Sequence, residues 1–297
     1  MTVPILFNRR LVRLHRDMAV RKTNNVAEIV QATTCRLLDR LDDINRTFNN
    51  ALEIGGRGIV SKYLQQHNIP TISGDLSSYM AALNTGSCIC IDEESLPFKE
   101  NSFDLIIANF TLHWVNDLPG ALIQLRKILK PDGLFLASIP IVPTLSVLRN
   151  ILAEVEVELT GKLSPRISPF PDLRACATLM QRAGFALPVV DKEEIMISYR
   201  SPMALIEDLR AAGEGNALVE RAKYIPPRIL FGACFERLKA IEPLEIPFTF
   251  AILTGWAPDS SQAQPLKPGQ FSISLEDAFA KNKLASNPKE SNSKDDL

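Results

Sequence analysis

The stretch 50–64, NALEIGGRGIVSKYL, constrains the fold more than any other part of the chain. Apolar residues lead into three closely spaced glycines, Gly55, Gly56 and Gly58, and an apolar-periodic run follows. This pattern predicts a strand, a tight glycine turn and a helix. Glycines let the backbone approach a ligand, and Glu53 at the strand end is placed to accept hydrogen bonds from hydroxyls. Taken alone, the pattern also fits a plain tight turn.

Further strand-like segments follow the glycine turn. They are 69–73, 87–91, 103–109, 134–139, 189–199 and 248–256. Residues 103–109 are almost continuously apolar, as expected of a strand covered on both faces within a parallel sheet. Helical segments lie between most of the strands, which predicts right-handed crossovers. We therefore expect an α/β fold with a doubly wound, Rossmann-like sheet of seven strands, including the one at the turn.

Several polar side chains fall where strands end. In a doubly wound sheet the ligand crevice lies at the carboxyl ends of the strands. Asp75 ends the second strand, where a ribose would lie, and Asp92 is placed to accept from an exocyclic amine. Asn109 ends the fourth strand, and His113 follows it as the candidate general base. The alternatives are a surface acidic loop around Asp92 and a packing role for His113.

The chain divides by pattern into three parts. Residues 1–48 form an N-terminal helical cap, 49–258 the main domain with a helical insertion at 201–242, and 259–297 a tail that we expect to be disordered past Ala280. The basic start resembles a transit peptide, but Asp17 favours its retention in the mature protein.

Arginines cluster in two places near the expected crevice. Residues 3–21 predict a basic amphipathic helix, and Arg166 lies in the Ser- and Pro-rich loop 161–172. We expect the two to form one substrate-facing surface. The alternatives are a solvated helical cap and a plain surface connection.

Composition excludes several classes of partner. There are 33 basic and 34 acidic residues, so no global field recruits nucleic acid, and no apolar run is long enough for an integral membrane segment. Peripheral membrane contact stays open. Five scattered cysteines and three histidines predict neither a disulfide framework nor a metal site, and they suit a reducing cytoplasm. Cys88 and Cys90, two apart on a strand, are expected to pack.

An ordered series of motifs resembles the class I S-adenosylmethionine (SAM)-dependent methyltransferases over about residues 50–140. The series is EIGGRG, then Asp75, DEESLPF, NSFDLIIANFTLHWVNDLPGAL and LKPDG. The resemblance implies that SAM is the cofactor. It places the turn glycines beside the methionine moiety, Asp75 on the ribose and Asp92 on the adenine amine.

A wider likeness covers about residues 5–278. FNRRLVRLHRDMA, SPRISPFPDLR, MALIEDLRAAGEGNA and FAILTGWAP look like the mitochondrial respiratory complex I assembly factor 5 family and its bacterial relatives. This likeness implies a protein substrate, an iron–sulfur subunit of complex I, whose arginine is hydroxylated. It also implies a bacterial, cytoplasmic homologue of a mitochondrial matrix family. Methyltransferases are among the relatives.

The chain departs from the family pattern at three places. EIGGRG is one residue shorter than the usual loop, residues 140–143 read PIVP where relatives carry Gly-Gly-acidic, and Asn8 replaces an Asp. Three hypotheses follow: a SAM-dependent methyltransferase, an arginine hydroxylase acting as an assembly factor, and a binding-only scaffold. Hydroxylation needs an oxidant, and the histidines His15, His67 and His113 do not build a two-histidine, one-carboxylate iron site.

Overall fold

A seven-stranded mixed sheet forms the centre of the computed structural model, which describes residues 5–224 and 226–262. The strands are β1 (Ala51–Ile54), β2 (Thr71–Asp75), β3 (Ser87–Cys90), β4 (Phe103–Asn109), β5 (Leu129–Pro140), β6 (Ala186–Ser198) and β7 (Glu245–Trp256). Their spatial order is β3-β2-β1-β4-β5-β7-β6. The first five strands run parallel, and β7 pairs antiparallel with both β5 and β6. The predicted doubly wound α/β fold is confirmed.

Helices cover both faces of this sheet. They are α1 (Arg9–Ala19), α2 (Ala27–Asp42), α3 (Ile59–Gln66), α4 (Ser78–Ala81), α5 (Leu118–Ile128), α6 (Ser146–Thr160), α7 (Leu173–Arg182), α8 (Pro202–Ala211) and α9 (Arg228–Lys239). Two 3₁₀ helices, Val20–Val26 and Leu112–Trp114, complete the set that the described residues contain. Side chains of α5 and α7 pack in one core with Ile106 of β4, and those of α2 and α3 pack in the other with Ile107. This placement follows from strand geometry, because successive side chains point to opposite faces.

A third hydrophobic core lies outside the sheet. It joins α6, α8 and α9 through residues that include Leu152, Leu205 and Leu238. The predicted helical insertion at 201–242 therefore contains two helices joined by a loop. Contacts place residues 1–259 in one folded unit. The expected disorder past Ala280 concerns residues outside the described part of the chain.

One local expectation was wrong. Cys88 and Cys90, which we expect to pack, are exposed, because β3 is an edge strand. Two other segments have unusual geometry. Helix α4 has only four residues, Ser78–Ala81. The KPDG segment lies within the span of β5, where the pairing with β4 shifts and Asp132 takes a φ of 57°.

Within the described residues, no helix combines the length and the apolar character that crossing a membrane requires.

Candidate active site

The glycine turn after β1 is tightly packed. Gly55 and Gly58 have φ values of 76° and 84°, in the left-handed region that side chains disfavour. A Cβ on Gly55 would lie 2.5 Å from the Asn109 carbonyl oxygen, and one on Gly56 would lie 2.0 Å from the Glu53 carboxylate. Each position therefore requires the absence of a side chain.

Glu53 is hydrogen-bonded to the glycine turn. Its Oε2 accepts a hydrogen bond of 2.8 Å from the Gly56 N–H. The side chain is completely buried, and this burial raises the pKa of Glu53 to about 7. In the structure Glu53 thus contacts its own loop rather than the open crevice.

Asn109 connects three elements. Its side-chain amide donates to Thr34 of α2 at 3.0 Å, and its Oδ1 accepts from Ser138 of β5 at 2.7 Å. The predicted cofactor-binding side chain is therefore engaged within the protein, and its carbonyl contacts the glycine turn.

The predicted crevice carboxylates are bound by arginines of α1. Arg16 donates to Asp75 at 3.2 Å and to Glu93 at 2.8 Å, while Arg9 donates to Asp92 at 2.7 Å and also to Glu93. Burial raises the pKa of Asp75, and Arg16 opposes this rise. The structure thus links Asp75 and Asp92 through Arg16, Arg9 and a buried carboxylate, Glu93, that the sequence did not single out.

The expectation that the N-terminal arginines belong to a substrate-facing surface was wrong for two of them, Arg9 and Arg16. Arg9 and Arg16 share the buried side of α1 with Val12 and Ala19, since residues three, seven and ten apart lie on one helical face. Arg166 pairs with Glu156, with 2.6 Å between Nη2 and Oε1. The seven-residue spacing of the two arginines, with an apolar residue between them, was a signal of inward orientation.

Asn8, one departure from the family pattern, begins α1. Its side chain accepts from the Leu11 N–H, as an N-cap does. Its own N–H donates to the carbonyl of Ala217, which fixes α1 against the loop after α8.

His113 is oriented by Glu214, a residue that sequence analysis missed. Glu214 lies in the loop after α8, and its Oε2 is 2.9 Å from His113 Nε2 and 3.0 Å from the indole nitrogen of Trp114. Burial opposes ionisation of Glu214, but His113 and Arg57 outweigh it and lower the pKa of this carboxyl. No local pattern marks a glutamate between two glycines as a site residue, because the pairing spans two distant segments.

The Glu214 bond selects one tautomer of a neutral His113 ring. A carboxylate acceptor at Nε2 places the ring proton there and leaves the lone pair of a neutral ring on Nδ1. Nδ1 is buried and has no hydrogen-bond partner within the described residues.

A cavity of about 140 Å³ opens beside these groups. His113, Arg57 of the glycine turn and Asn109 all contribute to its wall, together with residues of α2, α8 and the ends of β6 and β7. Most of the wall is apolar. Asp75 and Asp92 do not line this cavity; they lie under α1.

The described residues contain no group of three or more His, Cys, Asp or Glu side chains placed to hold a metal ion.

Comparison with known proteins connects this geometry to a family. Residues 52–137 match the family model described as a methyltransferase domain. The arginine hydroxylase NDUFAF5 of Danio rerio is 33% identical over 294 residues, covering 95% of this chain and 92% of the relative. The human protein of the same name is 35% identical over 283 residues, covering 91% and 82%. The chain belongs to the NDUFAF5 family.

Other relatives extend the comparison beyond NDUFAF5. The malonyl-[acyl-carrier protein] O-methyltransferase of Halorhodospira halophila is 28% identical and covers 84% of this chain and 88% of that one. A Bacillus halodurans protein, provisionally described as a methyltransferase, matches the fold with a TM-score of 0.50 at 13% identity, over 75% of this chain and 99% of its own. This NDUFAF5-family chain thus contains a methyltransferase domain and has the methyltransferase fold.

The residues present fit SAM in type. The glycine turn has no side chains between its backbone and a ligand, and Asp75 ends the adjacent strand. Asp75 is only 4% exposed, since Arg16 covers it. Binding a ribose there requires Arg16 to move or to share the carboxylate.

Proposed function

We propose that this protein binds SAM at the glycine turn and transfers its methyl group to an acceptor held in the cavity. One observation carries the proposal: Arg57 of the turn and the His113–Glu214 pair line the same cavity. A donor site and a proton acceptor are thereby adjacent, as a displacement reaction requires.

The chain's own residues take separate roles in this proposal. Gly55, Gly56 and Gly58 would border the methionine moiety, Asp75 would accept from the ribose hydroxyls and Asp92 from the adenine amine. When bound, SAM supplies an electrophilic methyl group on its sulfonium.

His113 would remove the proton from the acceptor. His113 lines the cavity, its Nδ1 would carry the lone pair, and Glu214 at Nε2 would orient the ring and stabilise the imidazolium. The apolar wall limits competition from water.

Arginine hydroxylation is the second candidate. It is favoured by relatives named arginine hydroxylase that match up to 96% of this chain. An oxidant would then have to be supplied from outside the described residues, which contain no metal cluster. Under either chemistry we propose a protein substrate, an iron–sulfur subunit of complex I, and a cytoplasmic location.

Titration calorimetry with SAM tests the binding step. Asp75→Asn should weaken SAM binding at least about tenfold, because charge-assisted hydrogen bonds to the ribose are lost. Asp43→Asn, an exposed position beyond the end of α2, should bind as wild type does. If the wild-type protein fails to bind SAM at millimolar concentration, the binding-only scaffold is the hypothesis that remains.

Mass spectrometry of the incubated partner subunit separates the two chemistries. Methyl transfer adds a CH₂ unit to one residue and consumes SAM, whereas hydroxylation adds one oxygen. His113→Gln should reduce methylation at saturating SAM while leaving SAM affinity within about threefold of wild type. A loss of affinity with unchanged turnover would assign His113 a packing role.

A further inference from the structure

Asp75 and Asp92, the carboxylates expected to hold the nucleoside half of SAM, each have one oxygen atom that is fully hydrogen-bonded. Oδ1 of Asp75 accepts from the backbone N–H two residues further on, at 2.8 Å, and from Arg16 at 3.2 Å. Oδ1 of Asp92 accepts from the backbone N–H two residues further on, at 2.9 Å, and from Arg9 at 2.7 Å. A carboxylate oxygen has two lone pairs, so neither Oδ1 can accept from a ligand as well.

Helix α1 also closes the approach to Asp75. Asp75 and Arg16 are only 4% and 5% exposed. Ser77, just beyond β2, is completely buried and donates a hydrogen bond from its hydroxyl to Asp17 of α1. A ribose presents two hydroxyls to the carboxylate that ends this strand. With α1 in this position, neither the path to Asp75 nor a full set of acceptor sites is open to a ribose.

The attachment of α1 is mostly polar. The buried residues of the helix are Val12, Arg16 and Ala19, so two small apolar side chains accompany the arginine. After Ala19 the chain continues as the 3₁₀ helix Val20–Val26. The hydrogen bonds of a 3₁₀ helix have poorer geometry than those of an α-helix, and such segments often serve as hinges. The helix therefore has few buried apolar contacts to break and is followed by a segment suited to bending.

Arg16 has two other partners besides Asp75. It donates to Glu93 and to the Thr111 hydroxyl, each at 2.8 Å, whereas its contact with Asp75 is 3.2 Å. A buried charge is costly when it has no partner of opposite sign. A small displacement of α1 that breaks the longest of these contacts would leave Arg16 paired with Glu93, so Asp75 can be released without leaving the guanidinium uncompensated.

We propose that α1 is an autoinhibitory helix, in which Arg16 and Arg9 occupy acceptor sites of Asp75 and Asp92 that the nucleoside of SAM requires. SAM binds only after α1 shifts and Arg16 releases Asp75. The proposal rests on the proposed function in taking these two carboxylates as the nucleoside site.

SAM binding by Arg16→Lys tests the proposal. Lysine keeps a positive charge beside Glu93, but its ammonium group cannot replace the planar guanidinium that donates to three acceptors. Titration calorimetry should show SAM binding at least about fivefold tighter than in the wild type. In stopped-flow experiments the wild-type association rate should level off as SAM concentration rises, because opening precedes binding, and Arg16→Lys should reach a higher plateau.

Arg174→Lys on α7 is the matched control for this variant. It makes the same replacement at an exposed position outside α1, so both the affinity for SAM and the association rate should equal those of the wild type.

A disulfide provides a second test that does not depend on the folding of Arg16→Lys. The side chains of Asp17 and Ser77 are hydrogen-bonded, so Asp17→Cys with Ser77→Cys brings two thiols together between α1 and the start of α4. The exposed Cys88 and Cys90 are replaced by serine to prevent other pairings. The oxidised protein, with α1 held closed, should not bind SAM, and reduction should restore binding.

Equal or weaker SAM binding by Arg16→Lys would overturn the proposal, and so would unchanged SAM binding by the oxidised double-cysteine protein. Tighter SAM binding by Arg16→Lys without methyl transfer to any acceptor would contradict the proposed methyl transfer alone. Absence of SAM binding in the wild type and in every variant would contradict both.

Discussion

Glu93 is the carboxylate that pairs with both inward-facing arginines of α1, Arg9 and Arg16. It is completely buried and accepts from Arg9, Arg16 and Thr111. Burial opposes its ionisation, but the two arginines outweigh it and lower the pKa of Glu93 to about 2. The sequence offered Glu93 as one acid among three in a loop, and the arginine partners that distinguish it are about eighty residues away in the chain.

Glu93→Gln should destabilise the fold by about 3–5 kcal/mol at neutral pH, because it leaves the buried guanidinium of Arg16 and the partly buried one of Arg9 with less compensation. The folded-state pKa is depressed, so the stabilisation by Glu93 is present above its ordinary pKa of 4.5 and is lost as the pH falls towards 2. Denaturant unfolding at pH 7, 5 and 3 should therefore give a difference between wild type and variant that narrows below about pH 4.5.

Glu100→Gln is the control for this series, since Glu100 has a side chain that is 68% exposed. It should change stability by less than about 0.5 kcal/mol throughout. A Glu93→Gln difference that stays constant from pH 7 to pH 3 would show that the ion pairs do not set the pKa of Glu93.

At the scale of elements, the glycine turn should tolerate an added methyl group less well than helix α9 does. Gly58→Ala should destabilise the fold by about 1–3 kcal/mol, because the φ of 84° is strained for alanine and the new Cβ would lie 2.8 Å from the Leu83 carbonyl. Gly232→Ala, within α9 with no atom within 4 Å of the new Cβ, should stabilise by about 0.4–1 kcal/mol. Thermal unfolding of both variants measures this contrast, and destabilisation of similar size in both would refute the turn argument.

Sequence patterns predicted elements well where the cause is local. The apolar run 103–109 and the glycine turn specify a central strand and its exit, and both lie where expected. The same reasoning missed the exposure of Cys88, which depends on β3 being the edge of the sheet. It also missed Glu214, whose role arises when the loop after α8 meets the 3₁₀ helix Leu112–Trp114. Which strand lies at the edge of the sheet, and which distant residues come into contact, is decided only when the whole chain has folded.

At the scale of the whole molecule, two segments far apart in the chain meet over the carboxyl ends of the parallel strands. Helix α1 covers Asp75 through Arg16, and the loop after α8 supplies Glu214 to His113. A bridge between Phe7 and Leu218 joins the two segments. Neither lies within the matched domain of 52–137, so the family model covers the glycine turn and His113 but not α1 or Glu214.

This arrangement leaves Arg10 and Arg13 as the outward-facing arginines of α1. Both are exposed, and the ion pair of Arg13 within the described residues is a 4.0 Å contact with Asp17. Replacing both with Gln should leave the Tm and SAM affinity unchanged, because the inward-facing Arg9 and Arg16 keep their carboxylate partners.

Binding to the proposed partner should respond differently. The double variant should bind the purified iron–sulfur subunit roughly threefold or more weakly at low salt, and the difference should shrink as salt is raised and screens exposed charges. Arg174→Gln with Arg182→Gln on α7 removes the same charge from exposed positions outside α1 and should bind as wild type does. Equal affinities for all three proteins at every salt concentration would assign the outer face of α1 to solvent, because a docking surface must lose affinity when its cations are removed.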